Sequence, residues 1–461
     1  MRLALLFFSC TLLFGCKSID PIAPTPSITP IPVIDEVYST IRIPIEINLK
    51  NQLMDIEKSL AISFEGDQKQ CEGVSYDYKF IREPINFQFK KSSIYYEVDG
   101  KFQIKLNYCP TCVSLFGNES CTVPRIFASC GLNGESMRNL TIGYDSEISL
   151  ASNFEFQSKT ELTKFVIHDP CEITVFKFDV TEKLKKEVKK ELQKLEKDID
   201  QQIEAIDIKN QLSDAWMELQ KPISIDKYGF LYLNPKMVSV SELNFQNKRV
   251  LLDLNLKIAP TVSTNPTDFP KMPLPNLGAY QKEKGLDMIL DIRASYDSLS
   301  SFVHQAFKDY EFSFKKKKVI IQKFEIFGAQ DSKILMKLTF DGSKKGVLYL
   351  IGKPKLDVET QKIYLEELDF DLKTKSILLK SAKWLFNERI ISEIQKKALF
   401  DLSTLLVDAK ETINKELNST ISKGIYLNGN VKDIFIKNLF FDAKNLIVRA
   451  NFIGELKLKI D

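Results

Sequence analysis

Leu446, Val448, Ala450, Phe452, Gly454, Leu456, Leu458 and Ile460 stand at every second position near the end of the chain. Side chains alternate across a strand, so a period of two demands a strand with one apolar face. The alternation recurs in Ile41, Ile43, Ile45, Ile47 and Leu49, in Leu252, Leu254, Leu256 and Ile258, and in Ile334, Met336, Leu338 and Phe340. Runs of this kind belong to antiparallel sheets with one face on a core. A strand about twice the usual ~5–6 residues predicts a large, strongly bent sheet.

Local chemistry refines the strands. Asp99-Gly100 reads as a hairpin tip between Ile94, Tyr96, Val98 and Phe102, Ile104, Leu106. Pairing Val98 with Phe102 keeps one apolar face and calls for a three-residue loop. Ile363 and Leu365 are out of phase with Leu368, Phe370 and Leu372, so a bulge near Glu366-Glu367 is expected.

Two segments switch to helical period. One runs from about Val180 to Leu219 and carries the stripe Val180, Leu184, Val188, Leu195, Ile199, Ile203, Ile206 and Leu212. It ends before Lys221-Pro222. The other runs from about Ala382 to Ile421, with Trp384, Leu385, Ile390, Ile394, Leu402, Leu406, Ile413 and Leu417. The stripes drift from strict heptads, which favours packing on a sheet over a coiled coil. The order strand, short helix, hairpins, long helix, closing strands occurs twice, on either side of a break holding Pro260, Pro266, Pro270, Pro273 and Pro275. The expected fold class is therefore α+β, with two tandem domains, each a long curved antiparallel sheet wrapped around a long amphipathic helix.

The amino terminus sets an address. Arg2 precedes an apolar run from Leu3 to Phe14, too short for the ~20 residues of a spanning helix but suited to a signal peptide. Leu13-Phe14-Gly15-Cys16 resembles the lipobox of bacterial lipoproteins, a resemblance that implies acylation of Cys16. Pro21, Pro24, Pro26, Pro30 and Pro32 then make an extended tether. The expected organisation is a signal peptide at 1–15, lipidated Cys16 and tether at 16–36, a first domain at 37–260, a linker at 261–280 and a second domain at 281–461. Lys17-Ser18 lacks the aspartate that retains some lipoproteins at the inner membrane, which favours the outer membrane of a bacterial envelope.

Hydrophobic residues at 44% and charged residues at 27% fit a globular chain. Lys and Arg (64) nearly balance Asp and Glu (61), which leaves no electrostatic case for nucleic acid as a partner. Beyond Cys10 and Cys16, the cysteines are Cys71, Cys109, Cys112, Cys121, Cys130 and Cys171. An even set in an exported chain predicts disulfides in any of 15 pairings, stapling a loop at 109–130. Cys109-Pro110-Thr111-Cys112 has redox spacing without a thioredoxin-like surrounding, and a second close pair for a zinc ribbon is missing.

Catalytic signatures are absent from the sequence: no nucleophile elbow, phosphate loop or zincin motif occurs. His168-Asp169 reads as a turn and His304 as part of a helix. Asp369 and Asp371 flank the core-facing Phe370, so both face solvent rather than form a glycosidase pair. The run Lys315 to Lys318 reads as protection of a strand edge or turn, with contact to anionic headgroups as the alternative. No enzyme activity, metal or cofactor is expected.

Gly352 to Leu379, with Trp384-Leu385, Ala215-Trp216 and Leu219-Gln220-Lys221-Pro222, resembles an uncharacterised family of bacterial envelope lipoproteins, domain of unknown function 4403. The architecture is also similar to the tubular lipid-binding (BPI-like) superfamily, whose curved sheets wrap a long helix and leave an apolar tunnel or groove. That resemblance implies a lipid or other long apolar ligand, held in a sheet/helix groove, beside a membrane reached through the amino-terminal lipid. The alternative is a structural or adhesive lipoprotein that meets a protein partner through its stapled loop.

Overall fold

A computed structural model describes residues 18–24, 36–115, 118–173, 178–179, 181–225, 229–314, 316–382, 385, 388–422 and 424–461. The expected signal peptide, Cys16, Lys315 and Trp384 lie outside them. The protein is mixed α+β and mostly sheet, with one sheet curled as a half-barrel. The described helices are α1 (Lys50–Ser59), α2 (Thr181–Glu204), α3 (Lys209–Leu219), α4 (Tyr296–Phe307), α5 (Leu372–Ser381), α6 (Glu388–Lys397) and α7 (Ser403–Glu416). No described helix is long and apolar enough to cross a membrane.

Three sheets carry the architecture. An amino-terminal sheet of seven strands runs in the order Phe156–Ile167, Arg138–Leu150, Ser93–Cys109, Gly73–Arg82, Ser63–Gln68, with Asn86–Lys90 and Ile126–Cys130 also on Ser93–Cys109. A carboxy-terminal sheet of six strands is an antiparallel meander from Glu311–Phe314 through Gly346–Asp357 to Phe400–Asp401. Between them in composition lies an eleven-stranded sheet that draws on both halves of the chain. Ser39–Asn48 pairs antiparallel with Arg249–Ile258, and its Ile45, Glu46 and Ile47 pair parallel with Leu458, Lys459 and Ile460. Leu286–Ser295 pairs with Asn445–Ile460, where Arg449 grips Asp291 through two hydrogen bonds of 2.7 and 2.8 Å. We call this the shared sheet.

The alternating runs became the strands they predict. Asn445–Ile460 is a single strand of 16 residues. The bulge is present: Ile351 pairs with Asp369 and Lys353 with Glu366, so Glu367 and Leu368 face Gly352 alone. The hairpin tip at Asp99-Gly100 is not. Ser93–Cys109 runs straight through it as a 17-residue strand. Gly100 is there for close packing, since a Cβ would lie 2.4 Å from the Phe80 ring.

Both long helices are broken. Asp207 accepts from the Lys209 N–H at 2.9 Å and the Asn210 amide at 2.7 Å, so a local side-chain bond starts α3 afresh after α2. In the second half, Phe400–Asp401 leaves the helical course to pair with Ile363 and Lys362, and Asp401 then accepts from the Ser403 N–H at the start of α7.

The core is divided accordingly. One buried cluster fills the carboxy-terminal sheet against α4, α5 and α6, with Phe307, Met336, Leu338, Leu350, Leu378, Leu385 and Ile394 almost fully covered. A second lies on the shared sheet under α3 and α7, around Trp216, Ile258 and Ala450. A smaller third holds Phe102, Ile104, Leu106, Leu140 and the Cys130–Cys171 bridge. The segment expected as a linker is built into this packing. Thr261–Ser263 is a buried strand, the Trp216 indole donates to Met272 O at 3.0 Å, and the Leu277 N–H donates to Ser152 O at 2.8 Å.

Helix α2 meets the amino-terminal sheet at its edge. Phe156–Ile167 is the outermost strand, and its outward groups bond to carboxylates on α2. Glu196 accepts from the Leu162 N–H at 2.8 Å, Asp200 from the Thr160 hydroxyl at 2.7 Å, and Glu204 from the Ser158 N–H at 3.4 Å. Four residues of helix rise about 6 Å and two residues of strand about 6.6 Å, so the two repeats stay in step. The Tyr144 hydroxyl adds a bond to Leu192 O at 3.0 Å.

Candidate functional site

All six expected cysteines are paired: Cys71 with Cys112, Cys109 with Cys121, and Cys130 with Cys171, at Cα separations of 5.6 to 5.7 Å. Glu119 approaches Cys71 and Cys112, but the bridged sulfurs offer no thiolate to a metal. The stapled loop ends in exposed apolar side chains, Tyr108, Val123, Ile126 and Phe127, the last 63% exposed.

The other sequence candidates have structural roles. His168 Nε2 bonds Thr141 Oγ1 at 2.8 Å, and Thr141 donates to Asp99. Asp169 accepts from the Asn139 N–H and side-chain amide, which hold its carboxyl below the usual range. His304 sits half-buried on α4. Asp371 caps α5 by accepting from Lys373 N and Thr374 N, and Asp369 pairs with Lys375 at 3.0 Å. Neither aspartate faces a cleft partner.

A cleft opens instead where the carboxy-terminal sheet meets the shared sheet. It measures about 320 Å³ and lies between Gly346–Asp357 and Ile425–Phe441. Lys353 and Lys355 share one face of the first strand because they are two residues apart. Lys437 projects from a bulge in the second, where the register to Asn445–Ile460 shifts between Ile436 and Asn438. Pro354, Leu356, Val358, Leu439 and Phe441 supply apolar walls, and Ser332 and Asn438 add polar groups.

One glutamine fixes the two strands. Gln361, at a positive φ of 53° in the turn after Gly346–Asp357, accepts from the Ile436 N–H at 2.6 Å and donates to Ile436 O at 3.2 Å. Its own carbonyl accepts from the Leu402 N–H at 3.1 Å at the head of α7. The clamp therefore holds the rim where Lys437 emerges.

The rim is electropositive. Lys333 bonds Glu367 at 3.1 Å and, with Lys353 and Lys355, holds that carboxyl below the usual range. Lys355 also faces Glu366 at 3.6 Å, and Lys437 lies over the Phe435 ring at 5.5 Å. Apolar side chains and lysines therefore border the same cleft. Sequence reasoning named none of the cleft lysines Lys353, Lys355 and Lys437. The alternation of Lys353 and Lys355 inside the family-like segment was the available signal, but Lys437 joins them only through the fold.

Comparison with solved structures gives likenesses of low score. A lipopolysaccharide binding protein aligns with a TM-score of 0.25 and 8% identity, over 91% of this chain and 99% of its own. P47 of Clostridium botulinum E1 aligns with a TM-score of 0.22 and 9% identity, over 89% and 98%. P47 from Clostridium botulinum A2 gives 0.21 and 11%, over 89% and 96%. No curated protein matches the sequence. A family profile does match, over residues 37–460, across all three sheets and the cleft, and the chain belongs to that family, the domain of unknown function DUF4403.

Proposed function

We propose that this chain is a lipid-anchored protein of the bacterial envelope, acylated at Cys16, that holds a lipid or another long apolar ligand without covalent chemistry. In this reading its two halves are tubular lipid-binding-like units joined through the shared sheet. The observation that carries the proposal is the cleft that Leu356, Val358, Leu439 and Phe441 line together with Lys353, Lys355 and Lys437. At about 320 Å³ it lies at the small end of ligand sites, which span ~300–1,000 Å³. It suits the head and upper chain of an anionic amphiphile, with each buried methylene contributing about 0.8 kcal/mol.

Native mass spectrometry of protein purified in mild detergent should reveal a co-purifying lipid. A fluorescent acyl phosphate should bind, and Lys353→Gln with Lys437→Gln should weaken it about tenfold per lysine. Phe441→Asp should abolish binding by placing a charge against the chain. Absence of co-purifying lipid, together with unchanged probe affinity in these variants, would refute the reading.

A further inference from the structure

The segment just after Cys16 is seated on the carboxy-terminal sheet. The Ile19 N–H donates to Lys345 O at 3.0 Å, and Ile19 O accepts from the Val347 N–H at 2.8 Å, forming a parallel bridge at Gly346. Ile19 is 2% exposed and belongs to the same buried core as Phe340 and Leu348. Position 346 admits this contact because it is glycine: a Cβ there would lie 2.0 Å from Ile19 O. Three peptide steps separate Ile19 from Cys16, at most about 10 Å of extended chain. Whatever is attached to Cys16 is thus held near this end of the sheet.

That end is basic. It is formed by the turn from Ile334–Gly342 into Gly346–Asp357, with Lys344 and Lys345, and by the turn from Glu311–Phe314 into Lys317–Gly328, with Lys316, Lys317 and Lys318. The turns are tied side by side: the Ser343 N–H donates to Lys318 O at 2.9 Å, and the Lys318 N–H donates to Ser343 Oγ at 3.0 Å. Among the described residues of the two turns and the seated segment the acids are Glu311, which pairs with Lys318 at 3.3 Å, Asp341 and Asp20, against Lys316, Lys317, Lys318, Lys344 and Lys345. Ile22, in the same seated segment, is 71% exposed.

We propose that these two lysine turns and the seated segment form a membrane-contact face that rests on anionic phospholipid headgroups. A cluster of cations makes a surface anchor, and, resting on the proposed acylation of Cys16, a bilayer reached within about 10 Å of Ile19 is the occupant such a face fits. The proposal concerns orientation at the membrane and does not depend on the cleft.

The test uses the chain from residue 16 onward carrying Cys16→Ser, so that no acyl group contributes. It should co-sediment with vesicles containing phosphatidylglycerol, release at high salt, and ignore vesicles of phosphatidylcholine alone. Replacing Lys316, Lys317, Lys344 and Lys345 by Gln should reduce partitioning roughly fivefold per lysine, with an unchanged thermal midpoint showing an intact fold. Lys353→Gln with Lys437→Gln in the cleft should leave vesicle binding as it was. The proposal is overturned if the unacylated chain binds neither vesicle, binds both equally, keeps its affinity without the four lysines, or loses it in the cleft variant.

Discussion

Arg82 closes the end of α1 almost alone. Its side chain is 5% exposed and donates from Nε to Ala61 O at 2.9 Å, and from its terminal nitrogens to Glu57 O and Leu60 O at 2.9 Å and to the Glu57 carboxylate at 2.6 Å. Helix ends leave carbonyls unpaired, and here one guanidinium fork serves them. Arg82→Ala strands those groups and the Glu57 charge and should cost about 3–5 kcal/mol, read by urea denaturation. Arg82→Lys should recover only part, since an ammonium cannot fork. Burial pushes the Glu57 carboxyl up, but Arg82 and the Ile85 N–H outweigh it and hold it below the usual carboxylate range. Glu57 therefore contributes its full stability above that range and loses it as pH falls through the lowered value. Glu57→Gln should accordingly flatten the acid side of the stability profile. Such a residue is invisible in the sequence, where Arg82 is one cation on an alternating strand. Gly100 misled for a related reason. Val98, Gly100 and Phe102 are in phase, which was the mark of an unbroken strand, yet Asp-Gly chemistry outweighed it in the reading.

At the scale of elements, the strands were legible because period two survives any tertiary context, and the Glu366-Glu367 bulge was legible as a phase slip. The helices were less so. The apolar stripe of α2 suggested packing on a sheet, and Val188 does pack against the amino-terminal core, but the stripe gave no sign that Glu196, Asp200 and Glu204 bind the free edge of Phe156–Ile167. A carboxylate ladder looks like a solvated helix face until its strand is known. Burial pushes the Asp200 carboxyl up, and the bond from the Thr160 hydroxyl helps to hold it below the usual carboxylate range. Glu196→Ala with Asp200→Ala should remove about 1.5–3 kcal/mol per charged bond. Hydrogen exchange should then quicken at the Leu162 amide while the inner strand Ser93–Cys109 keeps its protection. Unaltered exchange at Leu162 would mean that the ladder holds nothing.

For the whole molecule, the repeated order of elements pointed to two halves but not to their partnership. Ser39–Asn48 and Asn445–Ile460 pair across nearly the entire chain, and alternation says which face is apolar without saying which strand lies alongside. The cleft was hidden for the same reason, since Lys353 and Lys437 meet only after both sheets form. Two halves that share a sheet should unfold together. In a Trp384→Phe variant, Trp216 fluorescence and the circular dichroism of the whole chain should give coincident urea midpoints, and two separated midpoints would show the shared sheet to be weak. The seat of Ile19 also sets an order of events. Its slot is built from Lys345 to Val347, so the start of the chain is made long before the place it will occupy. Ile19 cannot take its seat until Lys345 to Val347 exist, so its fastening reports that the last half has folded.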